Sequence, residues 1–420
     1  MMIATRNHPR RAKVLLLAYA CSPEHGSEGG VGWHRALQSA KRFDTWVLCK
    51  EREFADHIRG YLKTHGDVPG LHFEFVPKRP WEEALGRVPG LYYLSYNLWH
   101  RRAFRVARQL HQRIRFDLVH QLNYCGYREP GYLWKLDAPF VWGPLGGTQN
   151  YPWRFLGEAG FGGACREALR NAANLVQLHF SPRVRRAARK ATTIVAASST
   201  NQRDFARAHR VAPVLGSDVG LHRIADVPRT CPKTSRPLRI LWSGHLRPFK
   251  ALPLLIKALA RLPEDVRYEL RVVGDGPLKR RWQRLARRTG VQDHTHWMGW
   301  LPHQQALQQY RWADVFVFSS LRDTTGTVVL EALGAGVPVV CFDHQGVRDV
   351  VTDRCGVKIP LKTPRRAVAG LCDAIATLAR DGRRREELSR GALQRAAEYS
   401  WDRHGENMAN VYQGALGAIP

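Results

Sequence analysis

Two carboxylates in the last third of the chain have the spacing of a ligand-binding pair. Seven residues separate Asp323 from Glu331, within residues 315–340, VFVFSSLRDTTGTVVLEALGAGVPVV. An acid at the start of a helix and another about two turns along it would contact different parts of one long polar ligand. The backbone N–H groups of Gly326 and Thr327 would face phosphates of that ligand. A sugar nucleotide has this shape.

The elements around this pair are predicted by the same stretch. Residues 315–320 form an apolar run typical of a buried parallel strand, and 326–336 have helical spacing. The loop between such elements lies at a rim where backbone N–H groups favour anions. Glu331 falls among apolar residues, and because an unpaired buried charge is costly, a partner is implied. Alternatively, Glu331 pairs with a structural arginine or points to solvent.

Composition restricts the class of protein. The 420 residues predict two or three domains, and a hydrophobic fraction of 44% is typical of a globular protein. A formal net charge of +29 implies a polyanionic partner: nucleic acid, an anionic membrane surface or phosphate-bearing substrates. The longest early apolar run, 14–20, predicts a strand rather than a signal sequence, so we expect a cytoplasmic protein. The eight cysteines show no CxxC pairing, which argues against zinc or a disulfide framework.

Two alternating series of strands and helices are predicted, which indicates two parallel sheets with helices on both faces. The predicted strands occupy residues 13–20, 46–50, 72–76, 118–121, 140–143 and 193–198 in the first series, and 238–243, 268–274, 294–299, 315–320, 339–342 and 357–360 in the second. The proline-rich residues 212–237 lose this rhythm and are interpreted as a linker. The domains are therefore predicted over residues 1–211 and 238–400.

Two glycine-rich turns follow strands of the first series. GGVG lies within residues 21–32, between the first strand and the first helix, where Gly29 and Gly30 would admit a phosphate close to the backbone. GGVG is also a common turn without the spacing of the dinucleotide fingerprint. WGPLGG places Gly146 and Gly147 at a second rim, although a plain proline turn explains them as well.

Two segments of the first domain, residues 101–115 and 180–190, are conspicuously basic. A solvated helix face is the plainer interpretation of such a run. The excess of one sign favours docking at an anionic membrane surface, where each cation contributes about 1 kcal/mol.

The stretch from Asp323 to Glu331 resembles the E-x7-E signature of the GT-B retaining glycosyltransferases of family four, with Asp at its first position. In that family the first acid lies by the donor sugar and the second holds the nucleotide ribose. The resemblance covers nearly all of the second domain through specific motifs and the first domain in outline. It implies two Rossmann-like domains that face each other across a cleft. SWDRHGENMANVY resembles the family's closing helix, which implies that residues 401–420 cross back to the first domain.

The start of the second domain, WSGHLRPFKALPLLIKAL, is similar to the family's strand followed by GRL and a lysine that clamps the donor diphosphate. Gly244 and Lys250 match this motif. His245 stands where the family usually has arginine, and we expect Arg247 to replace it, because a guanidinium fork binds diphosphate better than a neutral imidazole. The alternative for Lys250 is an ordinary surface lysine.

Three further matches complete the implied site. VVGDGP adds Gly274, and MGWL adds Trp300 near the expected position of the base. DLVHQLNY resembles the family's DxxHxH strand end with Leu122 for the second histidine, so His120 is either a sugar contact or a packed strand residue. The implied catalytic residues are Asp323, Glu331, Lys250 and Arg247. The implied donor-binding residues are Gly29, Gly30, Gly244, His245, Gly274, Trp300, Thr325, Gly326 and Thr327. The candidate acceptor or sugar contacts are His120, Gly146 and Gly147.

The resemblance implies hexose transfer from a nucleoside-diphosphate sugar with retained configuration. No cofactor or metal is expected, because the sequence shows no clustered acids or histidines and the cationic clamp neutralises the diphosphate. The basic segments suggest a polyprenyl-diphosphate-linked acceptor of cell-surface polysaccharide synthesis, met by a peripheral protein at the inner face of the cell membrane. The alternative is a nucleic-acid- or polyanion-binding protein on a catalytically decayed GT-B scaffold, which the charge favours but no visible nucleic-acid module supports. Epimerases and phosphorylases share the scaffold but explain the signature less well.

Overall fold

The structure, a computed structural model, describes residues 10–24, 26–88, 90–222, 224–225 and 236–418. Its strands form two sheets. The strands of the first are β1 Lys13–Ala18, β2 Asp44–Lys50, β3 Leu71–Val76, β4 Leu118–Asn123, β5 Phe140–Leu145, β6 Thr193–Ala196 and β7 Val214–Leu215. The strands of the second are β8 Leu238–Ser243, β9 Tyr268–Val273, β10 Thr295–Gly299, β11 Val315–Phe318, β12 Val339–Phe342 and β13 Gly356–Ile359.

Helices cover both sheets. The helices between strands of the first sheet are α1 Ser27–Ala40, α2 Phe54–His65, α3 Pro80–Arg87, α4 Tyr92–Ile114, α5 Phe161–Phe180, α6 Pro182–Lys190 and α7 Ser199–His209. Those that follow β8 are α8 Leu252–Leu259, α9 Lys279–Arg288, α10 His303–Trp312, α11 Thr327–Gly334, α12 Val347–Val350, α13 Pro364–Arg380, α14 Gly382–Ala397 and α15 Trp401–Gly417.

Both sheets are parallel and have the strand order of Rossmann-like domains. The first sheet runs β3-β2-β1-β4-β5-β6-β7 and the second runs β10-β9-β8-β11-β12-β13. All strand pairs within them are parallel. The central strands β4, β5, β11 and β12 are buried along their whole length, because helices pack on both faces. The predicted α/β class with two Rossmann-like domains is therefore confirmed.

The structure corrects two predicted boundaries. The edge strand β7 lies inside the predicted linker 212–237, of which residues 223 and 226–235 fall outside the described residues. Two residues are too short a run to carry a strand pattern, and only pairing with β6 makes them a strand. Helix α1 begins at Ser27, so the predicted GGVG loop forms the first turns of a helix.

Two segments tie the domains together. Helix α15 returns to the first sheet, where Met408 and Tyr412 pack with Val14, Leu118 and Val141. In the other direction, residues 151–159 leave the first domain. Their apolar side chains enter the core built around the second sheet, and these side chains are Tyr151, Phe155 and Ala159.

Candidate active site

Lys250 is held against Asp323 at the carboxyl ends of β8 and β11. Lys250 ends a 3-10 turn, Pro248–Lys250, and its Nζ forms an ion pair with the Asp323 carboxylate. The Lys250 carbonyl accepts a hydrogen bond from Ser319 Oγ (2.8 Å), and Ser319 in turn accepts one from Trp242 Nε1 (3.0 Å). The lysine side chain is 16% exposed and the aspartate 24%. The two predicted charges therefore meet in a partly enclosed site.

Asp323 is fixed at both its backbone and its side chain. Its N–H donates to Gln345 Oε1 (3.0 Å), and Ser320 Oγ donates to its carboxylate (3.3 Å). Gln345 also donates to the Asn150 carbonyl of the first domain (2.7 Å). Gln345 thus connects the Asp323 loop to the first domain.

Glu331 lies on α11 with 14% of its side chain exposed, and Tyr310 is its hydrogen-bond partner. The Tyr310 hydroxyl donates to Glu331 Oε2 (2.9 Å), and His303 Nδ1 lies 3.8 Å from Oε1. Burial raises the pKa of Glu331, while the Tyr310 hydrogen bond and His303 oppose the rise. The alternative of a structural arginine is therefore wrong, because the contacts come from a tyrosine and a histidine on α10.

The start of α11 has the geometry expected at a phosphate-facing rim. Gly326 caps the helix in the left-handed region (φ 84°), and Thr327 is the first helical residue. The Thr325 hydroxyl donates to Asp218 at 2.5 Å. The first backbone N–H groups of such a helix lack helical acceptors and are available to an anion.

Three glycines lie in close contact at the carboxyl ends of the strands beside Lys250. The Gly274 N–H donates to the Gly299 carbonyl (2.7 Å), and a Cβ on Gly274 would lie 2.0 Å from the Gly244 carbonyl oxygen. These glycines are thus required for the close approach of neighbouring backbones. Trp300 follows directly, with 70% of its surface exposed at the rim.

His245 and Arg247 are exposed, in the turn that leads from β8 to Lys250. Within the described part of the chain, neither side chain makes a hydrogen bond or an ion pair. Both side chains are therefore free to contact a ligand.

On the first-domain side, the glycines of α1 have a packing role. A Cβ on Gly32 would lie 2.1 Å from the Ala20 carbonyl oxygen, and the Gly29 carbonyl accepts from the Ser22 N–H (3.0 Å). Gly29 and Gly30 are buried in the first turn of the helix. The predicted open loop is corrected to a helix that packs tightly on the end of β1.

The WGPLGG turn reaches the Asp323 loop, whereas His120 does not. A Cβ on Gly146 would lie 2.8 Å from Thr324 Cγ2, so the two domains touch here. Gly147 has φ 90° and donates to Gln149 Oε1 (2.9 Å).

His120 is fully buried and hydrogen-bonds the Tyr412 hydroxyl (2.6 Å) and the Gly143 carbonyl (2.6 Å). Burial lowers the pKa of His120 to about 3. We therefore assign His120 a structural role that joins β4 to α15, in place of the predicted sugar contact.

Several residues at the domain boundary were not predicted. Arg322, next to Asp323, forms a bidentate pair with buried Glu167 of α5 (3.1 Å for each bond). Glu28, at the start of α1, accepts from the Cys125 N–H (3.3 Å). Burial and the nearby Asp218 raise the pKa of Glu28 to about 7. No local pattern identifies these residues, because Arg322 finds its partner in the opposite domain and Glu28 finds its partner almost a hundred residues along the chain.

In the residues that the structure describes, no group of three or more His, Cys, Asp or Glu side chains is arranged to hold a metal ion.

Comparison with known proteins gives a match over the second domain. The family described as glycosyl transferases group 1 matches residues 229–395. The D-inositol 3-phosphate glycosyltransferase of Kribbella flavida is 33% identical over 183 residues, which are 41% of this chain and 42% of that protein. The chain thus aligns with about two fifths of the length of the curated relatives it matches.

Solved structures match over almost the whole chain. Sucrose-phosphate synthase from Thermosynechococcus elongatus has a TM-score of 0.66 at 16% identity and covers 97% of this chain and 100% of its own. Anabaena HepE, solved with UDP and glucose, has a TM-score of 0.58 at 17% identity and covers 96% of this chain and 100% of its own. At these identities the likeness establishes the shared two-domain fold.

Proposed function

We propose that this GT-B chain transfers a sugar from a nucleoside-diphosphate donor to an acceptor, because residues 229–395 match the family described as glycosyl transferases group 1. One observation carries the proposal: at the domain boundary, Lys250 from the turn before α8 meets Asp323 from the loop that leads into α11. The cation and the helix N-terminus suit the diphosphate of a sugar nucleotide, and the acid suits its sugar.

In the proposed mechanism the chain stabilises the charge that develops on the leaving diphosphate. Lys250 would turn from Asp323 toward the phosphates, joined by Arg247 and by the N–H groups of Gly326 and Thr327. Asp323 would then be free to contact the donor sugar. Glu331 would bind the nucleotide ribose in its ionised form, which Tyr310 favours by its hydrogen bond.

We propose that the configuration is retained and that the sugar is a hexose. In a front-face departure the leaving phosphate oxygen takes the acceptor proton, while the acceptor oxygen bonds to the anomeric carbon on the same face. This step needs no enzyme nucleophile. The cationic clamp would neutralise the diphosphate, so we propose that no metal or other cofactor is required.

UDP and its sugars are the first nucleotides to test as product and donor. Anabaena HepE, which shares the fold, was solved with UDP-glucose. The exposed ring of Trp300, at the rim beside the glycine strand ends, supports a position for the base there.

The acceptor is proposed to be a lipid-linked glycan, such as a polyprenyl-diphosphate intermediate of cell-surface polysaccharide synthesis. The support is electrostatic: exposed arginines line α4 and α6, in a chain of net charge +29. We accordingly propose a cytoplasmic protein that works at the inner face of the membrane. Of the helices in the described ranges, none is long and apolar enough to cross a membrane.

The test compares a nucleotide panel on wild type and on Glu331→Ala. We expect one nucleoside diphosphate and its sugar to raise the thermal unfolding midpoint of wild type. We expect Glu331→Ala to lose that protection and to turn over donor at least tenfold more slowly. Glu387→Ala, on exposed α14, is the matched control and should behave as wild type. Wild-type turnover by Glu331→Ala would show that the site is misassigned.

The polyanion-binding alternative gives the opposite result. A steep loss of oligonucleotide binding with salt, together with no protection by any nucleoside diphosphate, would favour a binding protein on a decayed scaffold.

A further inference from the structure

Helix α5 has its polar side chains inside and its apolar side chains outside. Glu167 pairs with Arg322 of the second domain, and Asn171 is hydrogen-bonded to both the N–H (2.9 Å) and the carbonyl (2.8 Å) of Tyr151. Asn174 donates to a first-domain carbonyl at 2.6 Å. All three side chains are buried. The inward face of α5 is thus held mainly by hydrogen bonds, with Leu178 as its buried apolar residue.

The outward face is an apolar stripe with helical spacing of three or four residues. The largest side chains are almost fully accessible, with Phe161 90%, Leu169 71% and Phe180 70% exposed. A surface helix of a globular protein ordinarily has the reverse arrangement. The stripe consists of Phe161, Cys165, Leu169, Ala172, Val176 and Phe180.

Cations flank this stripe at both ends. At its start, the Arg281 guanidinium of α9 lies against Gly160, within 2.4 Å of where a Cβ would stand. At its end, α6 follows at once and exposes arginines on its outer face, including Arg185 and Arg186. Glu167 is the one acidic residue in 161–190, and it is buried in its ion pair. The outer surface of α5 and α6 is therefore apolar and positive, without a compensating acid.

We propose that α5 lies in the interface of an anionic phospholipid bilayer, with its apolar stripe among the acyl chains and the neighbouring arginines at the headgroups. The positive charge around the stripe favours an anionic bilayer over a second copy of the chain. A second copy would bring the same cations against this face, whereas an anionic bilayer neutralises them. The purpose of the contact rests on the proposed function. The inward face of α5 holds Arg322, one residue from Asp323, so docking would bring the donor site to the surface that carries a lipid-linked acceptor.

The experiment compares full-length variants by sedimentation with vesicles. The test variant is the double substitution Leu169→Gln and Val176→Gln, and the control is Leu215→Gln, which removes an exposed apolar side chain from β7. Vesicles of mixed phosphatidylglycerol and phosphatidylcholine are compared with phosphatidylcholine alone. We expect wild type and the control to bind only the anionic vesicles, and the double variant to bind them about tenfold or more weakly.

Three results would overturn the inference. They are wild-type binding by the double variant, equal binding of wild type to neutral vesicles, and a wild-type dimer that the double variant converts to a monomer without lipid. Thermal protection by the nucleotide panel is measured on the same samples. Absence of protection of wild type by every nucleoside diphosphate and sugar in the panel, with the vesicle pattern intact, would reject the proposed function and leave the bilayer contact standing.

Discussion

Replacing Lys250 by alanine removes the only positive charge that contacts Asp323 among the described residues. In the free protein the loss should be mild. The pair is partly exposed, and Asp323 keeps its bonds to Ser320 and Gln345. We expect the free energy of unfolding to fall by about 1 kcal/mol or less.

The effect on sugar transfer should be much larger. A charge-assisted hydrogen bond is worth about 1.5–3 kcal/mol, and each 1.4 kcal/mol changes a rate about tenfold. If Lys250 faces the diphosphate in the transition state, Lys250→Ala should transfer roughly ten to a hundred times more slowly. Lys250→Arg keeps the charge and should recover part of the rate.

The assay is release of nucleoside diphosphate from the donor found by the nucleotide panel, with folding checked by thermal denaturation. The control is Lys257→Ala, which removes a lysine that pairs with Glu158 away from Asp323. It should transfer at the wild-type rate. A folded Lys250→Ala protein within twofold of wild type would refute the assignment of this lysine to the diphosphate.

Two further predictions concern stability. Arg322→Ala would leave buried Glu167 unpaired at the domain boundary, so the free energy of unfolding in urea should fall by about 3 kcal/mol. Arg380→Ala breaks an exposed ion pair with Asp265 and should change the free energy of unfolding little. An equal loss of stability in Arg322→Ala and Arg380→Ala would contradict this reasoning. Burial lowers the pKa of His120 to about 3, so between an ordinary pKa of about 6.5 and 3 the unfolded chain takes up a proton that the folded chain excludes. The contribution of His120 to stability should therefore be intact above pH 6.5 and fall below it by up to about 1.4 kcal/mol per pH unit, and His120→Gln should reduce the total slope by that amount.

The parallel strands and the carboxylate helix were predictable from sequence because their signals are local. Strands β8 and β12 begin and end where the apolar runs predict, and residues 326–336 contain α11. The stretch that carries Asp323 and Glu331, residues 315–334, is one strand, one turn and one helix, so the sequence pattern predicts which elements carry the two acids.

The partners of the acids were not predictable, because they come from distant parts of the chain. Tyr310 reaches Glu331 from α10, and Gln345 reaches Asp323 from the turn after β12. Helix α5 was missed for another reason. A helical pattern predicts two faces, and here the inward face is the polar one, because Arg322 of the second domain and the backbone of Thr148 and Tyr151 supply its hydrogen-bond partners.

The burial of Tyr151, Phe155 and Ala159 in the core of the second domain has a consequence for modular engineering. A chimera made by cutting at the linker and grafting a relative's donor half would pack the aromatic rings of Tyr151 and Phe155 into a core that is not matched to them. The mismatch would leave cavities or overpacked contacts, and both cost stability. The exchangeable module is therefore discontinuous: it joins residues 236–400 to the excursion at 151–159, and recombination that respects both pieces should give folded hybrids.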